Sequence, residues 1–309
     1  MAFLFLSTWH DTQAWIDAFR AAAPGIDMRV YPDMGDTADI DFAVGWRPPK
    51  GVFADLPNLK VLHSLGAGVE SLIHDPSLRP EVTVCRVVED RLTLGMSEYV
   101  LLHVLRYHRR LDDLLANQKA RRWDFFPPAY TPSTTIGILG LGRLGIDAGE
   151  KLAALGFRVV GWSQTEKHVR GIESYAGSGQ FDDFLRVCDM LVCLLPLTPE
   201  TTGILNRRNL GLLKPGAYLI NAGRGGHLVD ADLLALLDEG QIAAATLDVF
   251  HEEPLPAENP FWDHPRITVT PHNASDSLPQ TVAGMIIDQY ERFKSGRPLA
   301  NIVDRTKGY

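Results

Sequence analysis

The stretch Thr135-Ile-Gly-Ile-Leu-Gly-Leu-Gly-Arg-Leu-Gly145 decides the fold. Thr135 to Leu139 carries no charge and is mostly apolar, which suits a strand buried on both faces. Gly140, Gly142 and Gly145 then give G-x-G-x-x-G, and helical spacing follows through Ala148, Leu152 and Leu155. Each glycine has a mechanical role in that setting. Gly140 allows a tight turn, Gly142 lets backbone approach a pyrophosphate, and Gly145 lets helix pack close to strand. The helix N-terminus offers N–H groups to the phosphates. A second buried strand, Phe157-Arg-Val-Val-Gly-Trp162, comes one helix later. This is the start of a dinucleotide-binding unit, with Gly140, Leu141, Gly142, Arg143, Leu144 and Gly145 against the cofactor.

Downstream, strands and helices alternate as a doubly wound sheet requires. Strands are expected at 190–195, 217–221, 244–249 and 267–270, with helices at 181–187 and 231–239. Upstream, residues 1 to about 95 read as a smaller α/β unit. Its strands are expected at 3–6, 28–31, 42–45, 60–64 and 82–85, and its first helix at 12–23. Ser97 is a plausible N-cap for a long helix over 98–117, apolar at Val100, Leu101, Val104, Leu105, Leu111 and Leu115. Pro127-Pro128 and Pro132 break the chain before the glycine-rich strand. A last helix from Pro279 to about Lys294 is expected to return to the first unit. The fold class is thus α/β with two doubly wound parallel-sheet domains. One is a Rossmann dinucleotide-binding domain at 98–279, the other a smaller flavodoxin-like substrate domain at 1–97 and 280–309.

Composition narrows the function. The 309 residues have a formal net charge of −8, which argues against a nucleic-acid partner. The basic pairs Arg109-Arg110, Arg121-Arg122 and Arg207-Arg208 are short and read as solvated faces. Cys85, Cys188 and Cys193 form no C-x-x-C, so no metal site or disulfide framework is expected, and a reducing cytoplasm fits. Ala2-Phe-Leu-Phe-Leu6 is too short for a signal segment, and no run approaches membrane-spanning length.

Chemistry gathers at strand ends. In open α/β sheets ligands bind beyond the carboxyl ends of the strands. One strand runs into Ala222-Gly-Arg-Gly-Gly226, the next into Asp248 with Glu252 and Glu253 beyond, and the last into Pro271-His272. Small neighbours clear space around Arg224. His272 directly follows a sheet strand, unlike His10, His74, His108, His168 or His251. Spacing alone does not choose between Glu252 and Glu253. At the tip of the second strand stands Gly161-Trp-Ser-Gln-Thr165, without the acid that an NAD site usually places roughly 20 residues beyond the glycines. Ser163, Gln164 and Thr165 can donate hydrogen bonds to a 2′-phosphate, and Lys167 and Arg170 add positive charge. NADPH is therefore expected in preference to NADH, which stays possible.

These stretches resemble the D-isomer-specific 2-hydroxyacid dehydrogenase family over nearly the whole chain. The matching motifs are Gly140-Leu-Gly-Arg-Leu-Gly145, Leu195-Pro-Leu-Thr-Pro-Glu-Thr201, Asn221-Ala-Gly-Arg-Gly225, Leu247-Asp-Val-Phe250, Glu253-Pro-Leu-Pro256 and Thr270-Pro-His-Asn-Ala274. Trp46-x-Pro-Pro49, Leu65-Gly-Ala-Gly-Val69, Gly161-Trp-Ser163 and Lys307-Gly-Tyr309 point to its branch acting on glyoxylate and hydroxypyruvate. Two positions depart from the family pattern: Ser275-Asp276 after the histidine motif, and Gln164 where a basic residue is usual.

The resemblance implies an enzyme that reduces small 2-oxo acids to D-2-hydroxy acids, with D-lactate or phosphoglycerate types, or a non-catalytic dinucleotide sensor, as alternatives. It implies that Arg224 binds the substrate's carboxylate and keto oxygens, helped by Trp46, Gly66, Ala67, Gly68 and Val69. His272 would give the proton, and Glu253, chosen by the motif, would hold the ring and favour the imidazolium. Asp248 would bond the nicotinamide side, while Leu195, Pro196, Thr201, Ala222 and Gly223, with Arg224 and His272, line the cofactor cleft. A homodimer is implied as well, joined around the long helix and Trp123-Asp-Phe-Phe126.

Overall fold

The computed structural model describes residues 2–7, 12–306 and 308. His10, and Lys307 and Tyr309 of the terminal signature, lie outside the described residues. The chain divides into two compact units, one of Met1–Leu92 with Asp276–Tyr309, the other of Thr93–Ser275.

The first unit holds β1 (Ala2–Ser7), α1 (Thr12–Ala22), β2 (Met28–Val30), β3 (Ile40–Trp46), β4 (Val61–Ser64), α2 (Glu70–Ile73) and β5 (Thr83–Cys85). Its sheet runs β2-β1-β3-β4-β5, all parallel, the flavodoxin order. Central β1 is apolar on both faces because both are covered. Leu4 and Leu6 join one core with Leu62 and Leu72, while Phe3 and Phe5 join the other with Phe19 and Phe42. The C-terminal helix α9 (Pro279–Lys294) returns to this second face, where Tyr290 meets Phe3 edge-on at 5.5 Å.

The second unit takes most of α3 (Asp90–His108), then α4 (Leu111–Lys119), β6 (Thr135–Leu139), α5 (Arg143–Ala154), β7 (Arg158–Ser163), β8 (Ile172–Ala176), α6 (Phe181–Arg186) and β9 (Met190–Cys193). It continues through α7 (Arg207–Leu210), β10 (Ala217–Asn221), α8 (Asp230–Asp238), β11 (Ile242–Leu247) and β12 (Ile267–Val269). Its parallel sheet has the order β12-β11-β10-β9-β6-β7-β8. The order reverses between β6 and β9, the switch point at which doubly wound sheets bind ligands. Register explains the functional edge. Trp162, Leu139, Cys193, Asn221, Leu247 and Val269 are partners in one row across six strands. The loops after them therefore leave the sheet at the same level.

Apart from the short helix α7, which was not expected, two elements differ from the sequence reading. The expected helix over 98–117 is two helices, and Ser97 is not its N-cap. It lies inside α3, fully buried, donating its hydroxyl to the Asp147 carboxylate. The apolar stripe extends back through Leu92 and Met96. Gly95 does not break it, since an added Cβ there would lie 2.9 Å from Ser275 Oγ; the small residue permits close packing. At the other end Arg110 adopts φ 53°, a left-handed conformation that separates α3 from α4. Strand β8 escaped notice because it is an edge strand: only Ile172 is buried, so no clear alternation marks it.

Candidate active site

The glycine loop joins β6 to α5. Gly140 has φ 106°, a conformation reserved for glycine. A Cβ on Gly145 would lie 2.0 Å from the Gly140 carbonyl oxygen, so helix and loop touch through bare backbone. Gly142 is the N-cap of α5, makes no side-chain cap and has open space where a Cβ would stand. The first-turn N–H groups of α5 thus face an uncrowded approach suited to a pyrophosphate. Leu141 packs on the next strand, where a Cβ on Gly161 would meet its Cδ2 at 2.4 Å. At the end of β7, Ser163 donates to the Thr165 carbonyl at 2.6 Å, and Gln164 through Lys167 beyond it are exposed. These residues fit a dinucleotide whose ribose end meets hydroxyl and amide donors.

After β9 the chain passes Leu195 and Pro196. Buried Thr201 donates its hydroxyl to the Pro196 carbonyl at 2.8 Å and accepts from Thr198 N–H at 2.8 Å. It braces this loop from inside.

After β10, Asn221 organises the arginine loop. Its side chain donates to the Arg224 carbonyl at 3.2 Å and accepts from Gly223 N–H at 3.2 Å. Arg224 is extended, at φ −144° and ψ 153°, and its Nη1 donates to the Gly223 carbonyl at 2.7 Å. A Cβ on Gly225 would stand 2.0 Å from the Phe250 carbonyl carbon, so only glycine lets this loop pass the loop after β11.

After β11 and β12 come the acid and histidine groups. Asp248 is 1% exposed, and its carboxylate accepts from Thr270 Oγ1 at 2.6 Å, Asn273 N–H at 3.0 Å and Ala274 N–H at 3.0 Å. Burial raises its pKa, against these hydrogen bonds, which lower it. Tyr99 on α3 donates to Thr270 at 2.7 Å, continuing the chain of bonds. Asp248 therefore holds the segment that carries His272. His272 sits at φ 53°, a strained conformation for a non-glycine residue, and its N–H donates to the Asp248 carbonyl at 2.9 Å. Its Nδ1 meets Glu253 Oε2 at 2.8 Å, while Glu253 Oε1 accepts from Phe250 N–H at 2.9 Å. Glu252 is exposed. Geometry thus pairs Glu253, and not Glu252, with the histidine.

In the first unit, taken by itself, Trp46 ends β3 and the Leu65–Val69 turn follows β4. The indole covers the turn: a Cβ on Gly66 would fall 2.8 Å from Trp46 Cζ3. Ser64 holds the turn, donating to the Gly68 carbonyl at 2.7 Å and accepting from Gly66 N–H at 3.2 Å.

The sequence assigned no role to Asn221, His227, Thr270 or Tyr99. Asn221 and Thr270 open two of the family motifs and His227 is the fourth residue of Arg224-Gly-Gly-His227, whereas Tyr99 carried no local signal. His227 is fully buried, with its ring bonded to backbone on two sides. Among the described residues, no group of three His, Cys, Asp or Glu is placed to hold a metal ion.

Fold and site define a class. Residues 101–274 match the D-isomer specific 2-hydroxyacid dehydrogenase, NAD binding domain family, and the chain belongs to that dehydrogenase family. Two curated relatives are named glyoxylate/hydroxypyruvate reductase A. That of Yersinia enterocolitica is 39% identical and that of Serratia proteamaculans 40%, each covering 100% of both chains. Among solved structures, a D-isomer specific 2-hydroxyacid dehydrogenase from Xanthobacter autotrophicus, in complex with NADPH and MES, is 40% identical with TM-score 0.93. It covers 100% of this chain and 99% of its own. An NADPH-dependent glyoxylate/hydroxypyruvate reductase from Sinorhizobium meliloti, with NADP and sulfate, is 38% identical with TM-score 0.94 and the same coverage.

Proposed function

We propose that this chain is an NADPH-preferring reductase of small 2-oxo acids, glyoxylate and hydroxypyruvate foremost, giving D-2-hydroxy acids. The observation that carries this is the His272–Glu253 pair on a segment anchored to Asp248, leaving the same sheet edge as the Arg224 loop. The relatives' names and the bound nucleotides of the solved structures support the substrate class and cofactor.

Reduction of a 2-oxo group needs grip on the acid, a proton for the nascent alkoxide and a hydride. The planar fork of Arg224 suits a carboxylate with its neighbouring keto oxygen. Glu253 holds the His272 ring through Nδ1, leaving Nε2 to deliver the proton. NADPH, when bound, supplies the hydride. The first turn of α5 would take its pyrophosphate, and Ser163, Gln164, Thr165 and Lys167 its 2′-phosphate. Asp248 serves by fixing the histidine segment. The test is oxidation of NADPH and NADH against a panel of 2-oxo acids; complete inactivity would favour a binding protein.

Assembly as a homodimer is part of the same proposal. Helix α4 buries none of its residues, Trp123 is fully exposed and Phe125 is 85% exposed, leaving apolar surface for a second copy. A monomer mass in light scattering at micromolar concentration would refute it. The three free cysteines suit a reducing compartment, and a cytoplasmic location is proposed on that basis.

A further inference from the structure

We infer that His227 is a positioning residue whose single imidazole locks the Arg224 backbone to the loop after β9. The inference rests on the reading of Arg224 as the group that grips the substrate carboxylate. Nδ1 of His227 accepts the backbone N–H of Arg224 at 3.0 Å. A ring nitrogen that accepts from an amide carries no proton, so the proton is on Nε2. Nε2–H faces the Pro196 carbonyl at 3.2 Å and donates to it. That oxygen also accepts from Thr201 Oγ1, so both its lone pairs are engaged.

The surroundings keep the ring in place. His227 is fully buried, and a Cβ on Gly223 would lie 3.0 Å from both its Cε1 and its Nδ1. Its own carbonyl accepts from Leu205 N–H at 2.8 Å, tying the turn to the chain beyond Thr201. Fixing the Arg224 N–H fixes the plane from which its side chain departs. Fixing the Pro196 carbonyl sets the neighbouring loop, to which cofactor contacts are assigned. One neutral ring thus couples the two halves of the site, and its two nitrogens serve different halves.

That division makes the inference testable. In His227→Asn the amide oxygen replaces Nδ1 and keeps the Arg224 bond, but nothing reaches Pro196. In His227→Gln the amide nitrogen reaches toward Pro196 and the acceptor for Arg224 is lost. Loss of one neutral hydrogen bond corresponds to about threefold to tenfold. His227→Asn should raise KM for NADPH by that factor with KM for the 2-oxo acid nearly unchanged, and His227→Gln should do the reverse. His227→Leu should raise both. Equal effects on both constants in the Asn and Gln variants, or no effect, would overturn the inference. Should the variants fail to fold, 15N shifts of the wild-type ring decide: protonated Nε2 with bare Nδ1 supports it, and the opposite tautomer overturns it. If the wild type turns over no 2-oxo acid, the catalytic reading fails separately. Fluorescence titration with NADPH then tests the Pro196 half, with weaker binding expected for His227→Asn and unchanged binding contradicting it.

Discussion

Nδ1 of His272 lies 2.8 Å from Oε2 of Glu253, and the acid's other oxygen is fixed by the backbone N–H of Phe250. The carboxylate therefore has one orientation, and so does the ring. Glu253→Gln has a single oxygen, so it can accept from Nδ1–H only by turning its NH2 toward the Phe250 N–H, and it removes the charge that offsets an imidazolium. It should lower kcat by about tenfold to a hundredfold while moving KM for NADPH little, because part of the general-acid contribution depends on that charge. A rise in KM alone, with kcat unchanged, would remove Glu253 from the proton path.

Gly145 and Gly142 make opposite predictions. A Cβ on Gly145 would lie 2.0 Å from backbone at Gly140, which has no flexible side chain to yield. Gly145→Ala should destabilise the fold by about 1–3 kcal/mol, as overpacking does, and lower the melting temperature. Gly142 has no atom within 4 Å of an added Cβ. Gly142→Ala should leave the ligand-free melting temperature close to wild type yet raise KM for NADPH, since the methyl occupies the pyrophosphate approach. Equal melting temperatures for both variants would contradict the packing argument.

Two buried histidines predict acid sensitivity. Burial holds His63 at about 4, against an ordinary 6.5, and His103 at about 4 as well. The unfolded chain takes up these protons near pH 6.5, the native protein only near pH 4. Between those values the unfolded state binds more protons. Stability is complete above pH 6.5 and is lost as pH falls toward 4. By pH 5 the His63 share is roughly 2 kcal/mol. His63→Asn keeps a donor for the Ser64 carbonyl, which Nδ1 meets at 2.7 Å, but cannot titrate. Its melting temperature should fall less between pH 7 and pH 5 than that of the wild type. Parallel falls would show that His63 is not responsible.

Cofactor choice should turn on one side chain. Ser163 ends β7 with its hydroxyl toward the Thr165 carbonyl, and the loop beyond is exposed. Ser163→Asp would supply an acceptor for a ribose 2′-OH and repel a 2′-phosphate. The ratio of kcat/KM for NADPH to that for NADH should be above one in the wild type and fall steeply in the variant. A wild-type ratio at or below one would show that lacking an acid here does not select the phosphate.

Fold and chemistry were legible in the sequence to different depths. The glycine motif and the strands on either side of it reveal themselves because strands covered on both faces read as apolar runs. Arg224, Glu253 and His272 stand near strand ends, so their place in the chain already puts them at the ligand edge. The groups that hold them were not legible. Thr270 reaches Asp248, and Tyr99 reaches Thr270, only because β11, β12 and α3 pack side by side, which chain spacing does not encode. The true start of α3 was hidden for a related reason. Gly95 looks like a breaker, and its tolerance depends on Ser275, 180 residues away.

The most direct test of the central claim is the turnover of NADPH with glyoxylate or hydroxypyruvate by wild type and His272→Ala side by side. The account predicts ready oxidation by the wild type and a loss in kcat of at least about a hundredfold in the variant, the low end for a general acid. NADPH binding, read by fluorescence, should be largely retained. Undiminished turnover in His272→Ala would contradict the account.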